Sequence, residues 1–390
     1  MIAWSLLVSV AVAAWLFLLF GRYGFWRSTP RLEWHHGDIG YAPSIAVIIP
    51  ARDEAETIET AVRSLFAQDY AGRLHVIVVD DRSQDRTAAI VDSLIPEAEP
   101  SRQLERVACT ERPDGWSGKL WAIQAGLDHL DACAEAPAVL LLTDADIAHH
   151  PANLAALLKK MVNEHCDLVS VMVRLRNQSF WERLLIPPFV FFFQMLYPFP
   201  AVNRPESTYA AAAGGCVLLR RDVLRAAGGI KAVRGQLIDD VALARLIKSE
   251  PKGAGRIWLG HAERTVSLRG YGDLSSIWRM VVRTADTQLG HSLLILAATI
   301  TGMILIYLLP PLAVLCWPFH QNLAIGLLGL AGWLMMSAAF RPTLALYQAS
   351  AFWAPTLPIA ALFYTAMTID SARRHRLGIG GVWKGRAFPN

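Results

Sequence analysis

The chain contains 390 residues, of which 54% are hydrophobic and 18% are charged. Average soluble proteins carry about 25% charged residues, so this composition excludes intrinsic disorder, collagen-like repeats and a small disulfide-rich scaffold. The net charge is only +4, and no basic stripe interleaved with aromatic residues crosses the middle of the chain, so no nucleic-acid partner is expected.

The first apolar segment is Ile2–Phe20, which carries no charge and is long enough to cross a bilayer as a helix. A cleaved signal peptide is the alternative, but no basic residue precedes the segment and no small-residue cleavage site follows it. We therefore expect a retained transmembrane anchor at residues 1–21. Arg22, Arg27 and Arg31 follow the anchor, which predicts that the next domain is cytoplasmic.

Residues 40–290 have the composition of an ordinary globular domain. Buried strands are predicted at 44–50, 75–79, 138–142 and 168–173, and helices at 54–68, 87–95 and 151–165. The alternation predicts an α/β domain with a mostly parallel, Rossmann-like sheet that has helices on both faces. Ligands of such sheets bind at the carboxyl ends of the strands.

An aromatic insert at residues 184–200 interrupts this pattern and contains Pro187 and Pro188. Its apolar run is expected to be too short to cross a bilayer. Two interpretations remain open. The insert is either a buried core helix or an interfacial or re-entrant element at the lipid surface beside the active site.

The C-terminal region, residues 291–370, contains apolar runs at 292–317, 323–340 and 344–369, which predict about three spans. One span before the domain and three after it would leave the C-terminus outside. The tail at 371–390 is nevertheless basic, with Arg373, Arg374, Arg376, Lys384 and Arg386. Either the run at 344–369 is a broken re-entrant hairpin or the charge rule is overridden.

Two pairs of acids follow predicted strands directly. Asp80 and Asp81 follow HVIVV, and Asp144 and Asp146 follow AVLLLT, so both pairs are expected at the ligand-binding edge of the sheet. An extended Asp-Ala-Asp segment points both carboxylates to one side. Such oxygens suit Mg²⁺ or Mn²⁺, which in turn bind phosphate oxygens. Helix capping or an Asx turn is the structural alternative.

Two basic side chains are candidates for donor contacts. Arg52, in PARDEAE after the first strand, is placed for a nucleotide base or phosphate, whereas Asp53 and Glu56 suit helix capping. Lys119, in the loop GWSGK, suits a diphosphate, and a solvated lysine is the alternative. The chain has neither GxxxxGK[ST] nor GxGxxG, so P-loop and dinucleotide-binding sites are not indicated.

Two further motifs have both a structural and a chemical interpretation. Gly214 and Gly215 permit a ligand to approach the backbone closely, or form a bulge. Asp239 and Asp240 precede an apolar helix, where acids normally act as caps, and one of them is a candidate general base.

The order IIPARDE, VVDDRSQDRT, GK, TDADI, GGCVLLRR and IDD resembles the inverting family 2 glycosyltransferases of the GT-A type fold over about residues 44–290. The layout of anchor, domain, apolar insert and C-terminal spans is similar to ceramide glucosyltransferase. The segment GYGDLSSIWRMVVRTADTQL and the WKGR tail are similar to the hopanoid-biosynthesis-associated glycosyltransferases of bacteria. The resemblance implies transfer of a sugar, with inversion, from a nucleoside-diphosphate donor such as a UDP-sugar to a lipid hydroxyl, a hopanoid among the candidates.

The resemblance also implies roles for particular residues. Donor binding falls to Pro50, Ala51, Arg52, Glu54, Asp80, Asp81, Lys119 and Asp144. Asp144 and Asp146 hold Mg²⁺ or Mn²⁺. Gly215, Asp239 and Trp278 bind the acceptor, Asp240 is the catalytic base and Arg283 is the second catalytic residue.

One departure concerns the family's (Q/R)xxRW motif. Aligning its arginine on Arg283 leaves Met280 for the glutamine and Thr284 for the tryptophan, so Trp278 is the candidate replacement. The alternative is that residues 277–289 form an interfacial helix whose arginines extend to the membrane surface.

Other functions are less consistent with the sequence. A processive polysaccharide synthase usually has an intact QxxRW motif, and an inactive membrane scaffold would not need all four acids. We therefore expect a multi-pass glycosyltransferase of a cell inner membrane with its catalytic domain in the cytoplasm.

Overall fold

The computed structural model describes residues 2–34, 40, 42–251 and 253–379, and the backbone of 382–383 and 386–387. Two compact units make up the chain. The helical unit comprises Met1–Thr29, Asn177–Pro200 and Gly270–Gly381, and the sheet unit comprises Pro30–Arg176, Ala201–Arg269 and Val382–Asn390. In the predicted basic tail, Lys384 and the side chain of Arg386 lie outside the described residues.

Ten strands are present in the part of the chain that the structure describes. They are β1 Ile45–Ala51, β2 Leu74–Asp80, β3 Arg102–Ala108, β4 Val139–Thr143, β5 Ile147–Ala148, β6 Leu168–Arg174, β7 Cys216–Arg220, β8 Ile257–Ser267, β9 Val382–Trp383 and β10 Arg386–Ala387. The first eight form one sheet in the order β3-β2-β1-β4-β7-β6-β8-β5, and β9 and β10 pair separately. Strand β7 is antiparallel to β4 and β6, β5 is antiparallel to β8, and the other pairs in the large sheet are parallel.

The α-helices are numbered in chain order. They are α1 Ile2–Phe20, α2 Ile58–Phe66, α3 Thr87–Leu94, α4 Gly118–Asp131, α5 Asn153–Asn163, α6 Phe180–Leu196, α7 Phe199–Val202, α8 Arg221–Ala226, α9 Asp239–Lys248, α10 Leu274–Val282, α11 Ala285–Gln288, α12 Leu293–Met303, α13 Leu309–Leu315, α14 Trp317–His320, α15 Leu323–Leu346 and α16 Leu357–Arg376. A π-helical turn, Ile304–Leu308, joins α12 to α13.

The sheet forms where the sequence is continuously apolar. Every residue of β1 and β4 is buried, as expected for strands covered on both faces. Helix α2 buries Ile58, Val62 and Leu65 at helical spacing against this core. The four predicted strands and three predicted helices are therefore confirmed, with small shifts at their ends.

Helix α4 lies close to the sheet at Gly126. A Cβ atom there would approach Ile48 Cγ2 to 2.9 Å and Val79 Cγ2 to 3.0 Å, which is tighter than ordinary van der Waals contact. A glycine is required because any side chain would push the helix outward. The contact fixes α4, whose first residues include Lys119.

Strands β3 and β8 were not predicted. The first has a single buried residue, Leu104, and lies at the sheet edge. The second is 11 residues long, and polar residues such as His261 and Glu263 interrupt its apolar run. Both strands form because they pair with neighbouring strands, and not because their own sequences have a continuous apolar pattern.

Within the described residues, five helical segments are long and apolar enough to cross a membrane. They are Ile2–Phe20, Phe180–Val202, Leu293–Leu315, Leu323–Leu346 and Ala351–Arg376. The prediction that the aromatic insert is too short to cross is wrong by length, because a capping box between Ser179 and Glu182 starts the helix upstream of residue 184. Pro187 and Pro188 lie inside α6 and do not end it.

Helix α6 is largely buried in this unit. Phe191 is fully buried in an aromatic cluster with Phe25 and Phe340, at ring-centroid distances of 5.3 and 5.5 Å. Leu185 is also fully buried. Much of the helix is therefore core, as the first interpretation of the insert expected, although Phe180 at its start is 60% exposed.

Candidate active site

One edge of the sheet collects most of the predicted site residues. Because β1, β2, β4 and β8 run the same way, their carboxyl ends meet at this edge, and the antiparallel β7 begins there. A cleft at this edge is lined by Pro50, Lys119, Thr143, Asp144, Gly214, Asp239 and Asp240, with apolar side chains from α4 and α9. Residues from five separate segments therefore meet in one place.

Lys119 is the central cation of this cleft. Its Nζ lies 2.7 Å from Asp144 Oδ1 and 3.5 Å from Asp239 Oδ2. Ser117 caps the same helix by accepting a hydrogen bond from the Leu120 N–H, which holds the first turn in place. Burial lowers the pKa of Lys119, but the charges of Asp144 and Asp239 outweigh it and raise that pKa. The side chain is a fixed cation rather than a solvated lysine.

Asp240 has the properties of a general base. Its Oδ2 accepts a hydrogen bond of 2.9 Å from the Gly214 N–H, and its Oδ1 accepts one of 2.8 Å from the Val241 N–H. Partial burial, followed by the charge of Asp239, raises the pKa of Asp240 to about 6, although Lys119 opposes the shift. A carboxylate tuned toward neutral pH is a better proton acceptor than one with an ordinary pKa.

Gly214 allows the close approach of two charged side chains. A Cβ atom there would lie 3.2 Å from Lys119 Nζ and 3.4 Å from Asp240 Oδ2. Gly215 has a different role, because its carbonyl accepts hydrogen bonds from Thr143 Oγ1 at 2.8 Å and from the Asp144 N–H at 3.3 Å. The pair therefore anchors the end of β4 beside the cleft.

The carboxylates of Asp144 and Asp146 pair with different basic side chains. The segment is a turn in which the Ile147 N–H donates to the Asp144 carbonyl at 3.3 Å, so the expectation of an extended segment is wrong. Asp144 pairs with Lys119, whereas Asp146 Oδ2 accepts hydrogen bonds from Arg269 Nε at 3.0 Å and from Ser267 Oγ at 3.2 Å. Asp144 is thus tied to the start of α4, and Asp146 is tied to the residues at and after the end of β8.

Arg269 was missed by the sequence analysis. Its guanidinium bridges two carboxylates, with Nη2 2.6 Å from Glu54 Oε1 and Nε 3.0 Å from Asp146 Oδ2. The residue follows the carboxyl end of β8, so it would have been found by the strand-end rule if that strand had been predicted. Arg269 ties the loop after β1 to the turn after β4.

A network of buried polar side chains holds the end of β4 next to the turn at Asp144 and Asp146. His149 Nε2 lies 3.0 Å from Thr143 Oγ1, and its Nδ1 lies 3.0 Å from Asn153 Nδ2. Asn153 Oδ1 in turn accepts a hydrogen bond from Thr265 Oγ1 of β8. Burial lowers the pKa of His149 to about 4, so the imidazole is neutral and serves as a structural link.

The loops after β1 and β2 hold the predicted nucleotide-binding residues. Arg52 Nη1 donates a hydrogen bond of 2.7 Å to the Asp81 carbonyl and lies 3.7 Å from Asp81 Oδ2. Asp80 Oδ1 accepts from the Ser83 N–H at 3.2 Å, and the Ala51 carbonyl accepts from the Asp81 N–H at 2.8 Å. Among the described residues, the buried Arg52 Nε has no hydrogen-bond partner and lies 3.9 Å from Asp53 Oδ2.

Hydrogen bonds to acidic side chains connect the loop after β1 with the loop after β2. The Asp53 Oδ1 accepts from the Gln84 N–H at 2.7 Å, and Asp85 Oδ2 accepts from the Ala55 N–H at 3.0 Å. The Glu54 N–H donates to Thr87 Oγ1 at 2.8 Å. These contacts give the motif acids a structural role in shaping the strand-end loops.

Trp278 and Arg283 belong to the helical unit. Trp278 Nε1 donates a hydrogen bond of 2.8 Å to Asp370 Oδ2, and Arg283 caps the C-terminal end of α10. The sheet unit therefore brings together the predicted site residues except these two, whose proposed roles stay predictions. The hydrogen bond also occupies the polar edge of the indole ring.

The donor set at the turn suits a hard divalent cation. Asp144 uses Oδ1 for Lys119, and Asp146 uses Oδ2 for Arg269 and Ser267. Each carboxylate keeps a second oxygen outside these bonds, and oxygen ligands are those that Mg²⁺ and Mn²⁺ prefer. The two basic side chains show that the turn already attracts positive charge.

Comparison with known proteins identifies the central part of the chain. Residues 46–228 match the family model described as glycosyl transferase family 2. The match covers just under half of the chain and supports a glycosyltransferase family 2 domain at these residues. The match covers the cleft residues from Pro50 to Gly215 and ends before Asp239 and Asp240.

Relatives and solved structures agree with this result. Over 104 residues the chain is 34% identical to 4,4'-diaponeurosporenoate glycosyltransferase of Staphylococcus haemolyticus, covering 27% of this chain and 24% of that one. Over 49 residues it is 49% identical to an N-acetylglucosaminyltransferase of Mesorhizobium japonicum, covering 12% of each. The chain thus spans at most a quarter of the length of these two relatives.

The fold is similar to that of the mannosyltransferase PcManGT from Pyrobaculum calidifontis, which was solved in complex with GDP-Man and Mn²⁺. The match covers 96% of this chain and 99% of that one, with 23% identity and a TM-score of 0.57. The predicted GT-A type fold with additional apolar helices is confirmed. The family 2 domain and the glycosyltransferase relatives also support the predicted enzyme class, a transferase of glycosyl groups.

Proposed function

We propose that this protein transfers a sugar, with inversion, from a nucleoside-diphosphate donor to the hydroxyl group of a membrane lipid. The observation that carries the proposal is the meeting of Lys119, Asp144 and Asp240 in one cleft at the strand ends of the family 2 domain. Such a transfer needs a cation that stabilises the leaving diphosphate, a carboxylate beside the phosphates and a base that takes the acceptor proton. UDP-sugars are the first donors to test, and a hopanoid is one candidate acceptor.

The donor binds along the loops after β1 and β2. Arg52 offers its buried Nε, and Asp80 and Asp81 lie at the end of β2 beside it. Lys119, a fixed cation at the start of α4, faces the diphosphate and stabilises the negative charge that grows as the bond to the sugar breaks. A divalent ion held by Asp144 and Asp146, when bound, would neutralise further charge on the leaving diphosphate.

Asp240 takes the proton of the acceptor hydroxyl. The acceptor oxygen then bonds to the anomeric carbon from the face opposite the diphosphate, the bond to the diphosphate oxygen breaks, and the configuration inverts. Hydrogen bonds from two backbone N–H groups hold the carboxylate in place. Asp239, with its carboxylate nearer to Lys119, is then a neighbouring contact rather than the base.

A lipid acceptor is supported by the apolar helices. Five segments are long and apolar enough to cross a membrane. The relative that acts on 4,4'-diaponeurosporenoate offers a precedent for a lipophilic acceptor. The identity of the lipid is therefore a matter for direct assay with membrane lipid extracts.

We further propose that α6 does not cross the membrane. Strand β6 precedes this helix and β7 follows it, and the two strands pair from Leu168–Leu219 to Ser170–Val217. A single crossing would put two paired strands on opposite sides of a bilayer. The helix therefore enters and leaves on the side of the sheet unit, as an interfacial or re-entrant element.

We also propose that α16 does not cross the membrane. Its final turns contact the segment that directly follows the sheet unit, since Ser371 Oγ accepts from the Asp286 N–H and Trp278 donates to Asp370. The segment just before it contacts the start of α6, since the ring centroids of Trp353 and Phe180 lie 5.8 Å apart. Both ends of α16 thus contact segments that connect directly in sequence to the sheet unit, which supports the re-entrant alternative for residues 344–369.

Three crossings remain, namely α1, the α12–α13 segment and α15. Two of these crossings lie between the sheet unit and the tail, so Arg373, Arg374 and Arg376 return to the same side of the membrane as the sheet unit. This arrangement satisfies the positive-inside rule if that side is the cytoplasm. The conflict found in the sequence disappears because the last apolar helix is not counted as a crossing.

The function is tested with the full chain purified in detergent. Release of nucleotide is measured across UDP- and GDP-sugars, with and without bacterial lipid extract, and the lipid product is analysed by mass spectrometry. We expect metal-dependent release with one donor, stimulated by lipid, and a product with a single added sugar. No release with any donor would refute the proposal, and a polymer would instead indicate a processive synthase.

The topology is tested with single cysteines and a membrane-impermeant thiol reagent. Phe319→Cys lies at an exposed position of the short helix α14 between two proposed crossings, and Ile379→Cys follows α16. In intact cells we expect labelling of the first and none of the second, which should react only after permeabilisation. Labelling of Ile379→Cys in intact cells would show that α16 crosses.

A further inference from the structure

A cluster of two histidines and a glutamate lies at the opposite end of the sheet unit's α4 from Lys119. His75 is the second residue of β2, Glu105 lies in β3 and His129 is near the end of α4. The register of β2 and β3 pairs residue 77 with Glu105, so His75 and Glu105 share one face of the sheet. The three side chains come together from three separate elements.

The donor atoms of this cluster converge. His75 Nε2 lies 3.1 Å from Glu105 Oε1, and His129 Nε2 lies 2.6 Å from Glu105 Oε2. One ligand atom from each residue lies within 4.8 Å of the other two. An ion placed among them would need only small side-chain movements to reach all three.

His75 is the residue that points to a ligand. Its Nε2 is buried, and among the described residues it has no hydrogen-bond partner, because its approach to Glu105 has the distance of a bond without the alignment. A buried polar atom without a partner is costly in a folded protein. A ligand that accepts the nitrogen lone pair would remove that cost.

We propose that His75, Glu105 and His129 bind a divalent transition-metal ion, with Zn²⁺ as the first candidate. Imidazole nitrogens together with one carboxylate are the ligands that such ions prefer, whereas Mg²⁺ prefers oxygen ligands and retains its waters. The ion would join β2, β3 and α4. Because α4 carries Lys119 at its other end, the ion acts as a clamp on the helix that supplies the cleft with its cation.

This site is separate from the turn at Asp144 and Asp146. His129 follows Lys119 by ten residues, which is about 15 Å along a helix. The proposal does not rest on the proposed function, since it concerns metal binding at a different end of the domain. It would stand even if the chain proved to transfer no sugar.

A second cluster, Asp286, His291 and His375 in the helical unit, serves as a comparison. The two imidazole rings there stack, with centroids 3.9 Å apart and planes 17° from parallel. Lone pairs in nearly parallel planes cannot meet at one ion unless a ring turns. This cluster therefore supplies a control in the same chain.

The test uses the full chain in detergent with Co²⁺ as a spectroscopic probe and with excess Mg²⁺ present to occupy hard-ion sites. We expect one equivalent of Co²⁺ to give absorption bands of nitrogen and oxygen ligation, and Zn²⁺ to displace it. His129→Gln and His75→Gln should each weaken binding at least about tenfold. His375→Gln and Asp146→Asn should leave it unchanged.

Thermal unfolding without metal separates loss of binding from loss of folding. His129 is partly exposed, so His129→Gln should keep its unfolding temperature, whereas added Zn²⁺ should raise that of the unmodified chain and not that of the variant. The proposal is overturned if the unmodified chain binds no Co²⁺. It is equally overturned if the two variants bind Co²⁺ normally, or if His375→Gln abolishes the bands instead.

Discussion

Replacing Asp240 with asparagine tests the chemistry of the cleft directly. Asparagine keeps the size of the side chain and an oxygen that can accept from the Gly214 N–H, but it cannot take a proton. General base catalysis is worth about 10²–10⁴-fold, so the barrier should rise by about 2.7–5.4 kcal/mol. Donor binding should change little, because the base acts on the acceptor.

The pH profile provides a second measurement. The base acts only when ionised, and a pKa of about 6 means that its ionised fraction falls as the pH drops below that value. At one pH unit below the pKa about a tenth of the base remains ionised, so kcat/KM should decrease about tenfold per unit. An ordinary aspartate would keep its activity down to about pH 4.

Asp239→Asn is the matched control. Asp239 lies beside the base, and its negative charge contributes to the raised pKa of Asp240. Removing that charge should lower the pKa and move the acid limb to lower pH, with a far smaller loss of turnover than Asp240→Asn. The assay is steady-state nucleotide release with lipid acceptor, on variants with matched circular dichroism. An inactive Asp239→Asn beside an active Asp240→Asn would refute the assignment of the base.

Three other predictions concern the architecture of the cleft. Chelation with EDTA should abolish transfer and Asp146→Ala should weaken donor binding in calorimetry, whereas full activity in excess EDTA would exclude the metal. Gly214→Ala should lower turnover with little change in unfolding temperature, because its Cβ would stand 3.2 Å from Lys119 Nζ. Arg269→Gln should destabilise the sheet unit by about 2 kcal/mol in denaturant unfolding, because two largely buried carboxylates lose their shared cation. Unchanged stability would show that water replaces the guanidinium without cost.

The sequence predicted those parts of the site that follow uniformly apolar strands. Asp80 and Asp144 could be placed because HVIVV and AVLLLT are continuous apolar runs that end in acids. Arg269 could not, because its strand β8 contains polar residues and is defined only by its pairing with β6 and β5. The local pattern carries no information about such partners.

Side-chain direction was also beyond the sequence. The spacing of Asp144 and Asp146 predicts that both carboxylates point to one side. In the structure, the carboxylate of Asp144 pairs with Lys119 and that of Asp146 pairs with Arg269, and both basic residues are distant in the chain. The turn between them depends on a carbonyl of Gly215 and on the network around His149. Long-range partners, rather than the two-residue period, decide where these carboxylates point.

The ion pair between Glu54 and Arg269 joins residues 215 positions apart, which has a consequence for synthesis. During synthesis, β1, β2, β4 and β6 leave the ribosome before β7 and β8. Contacts between residues so far apart in the chain therefore form late. Between β6 and β7 the ribosome releases the apolar segment Phe180–Val202. Under the proposed topology that helix meets the membrane while the sheet is still incomplete, so translation arrest before residue 269 should leave a protease-sensitive sheet unit that matures only when β8 has been added.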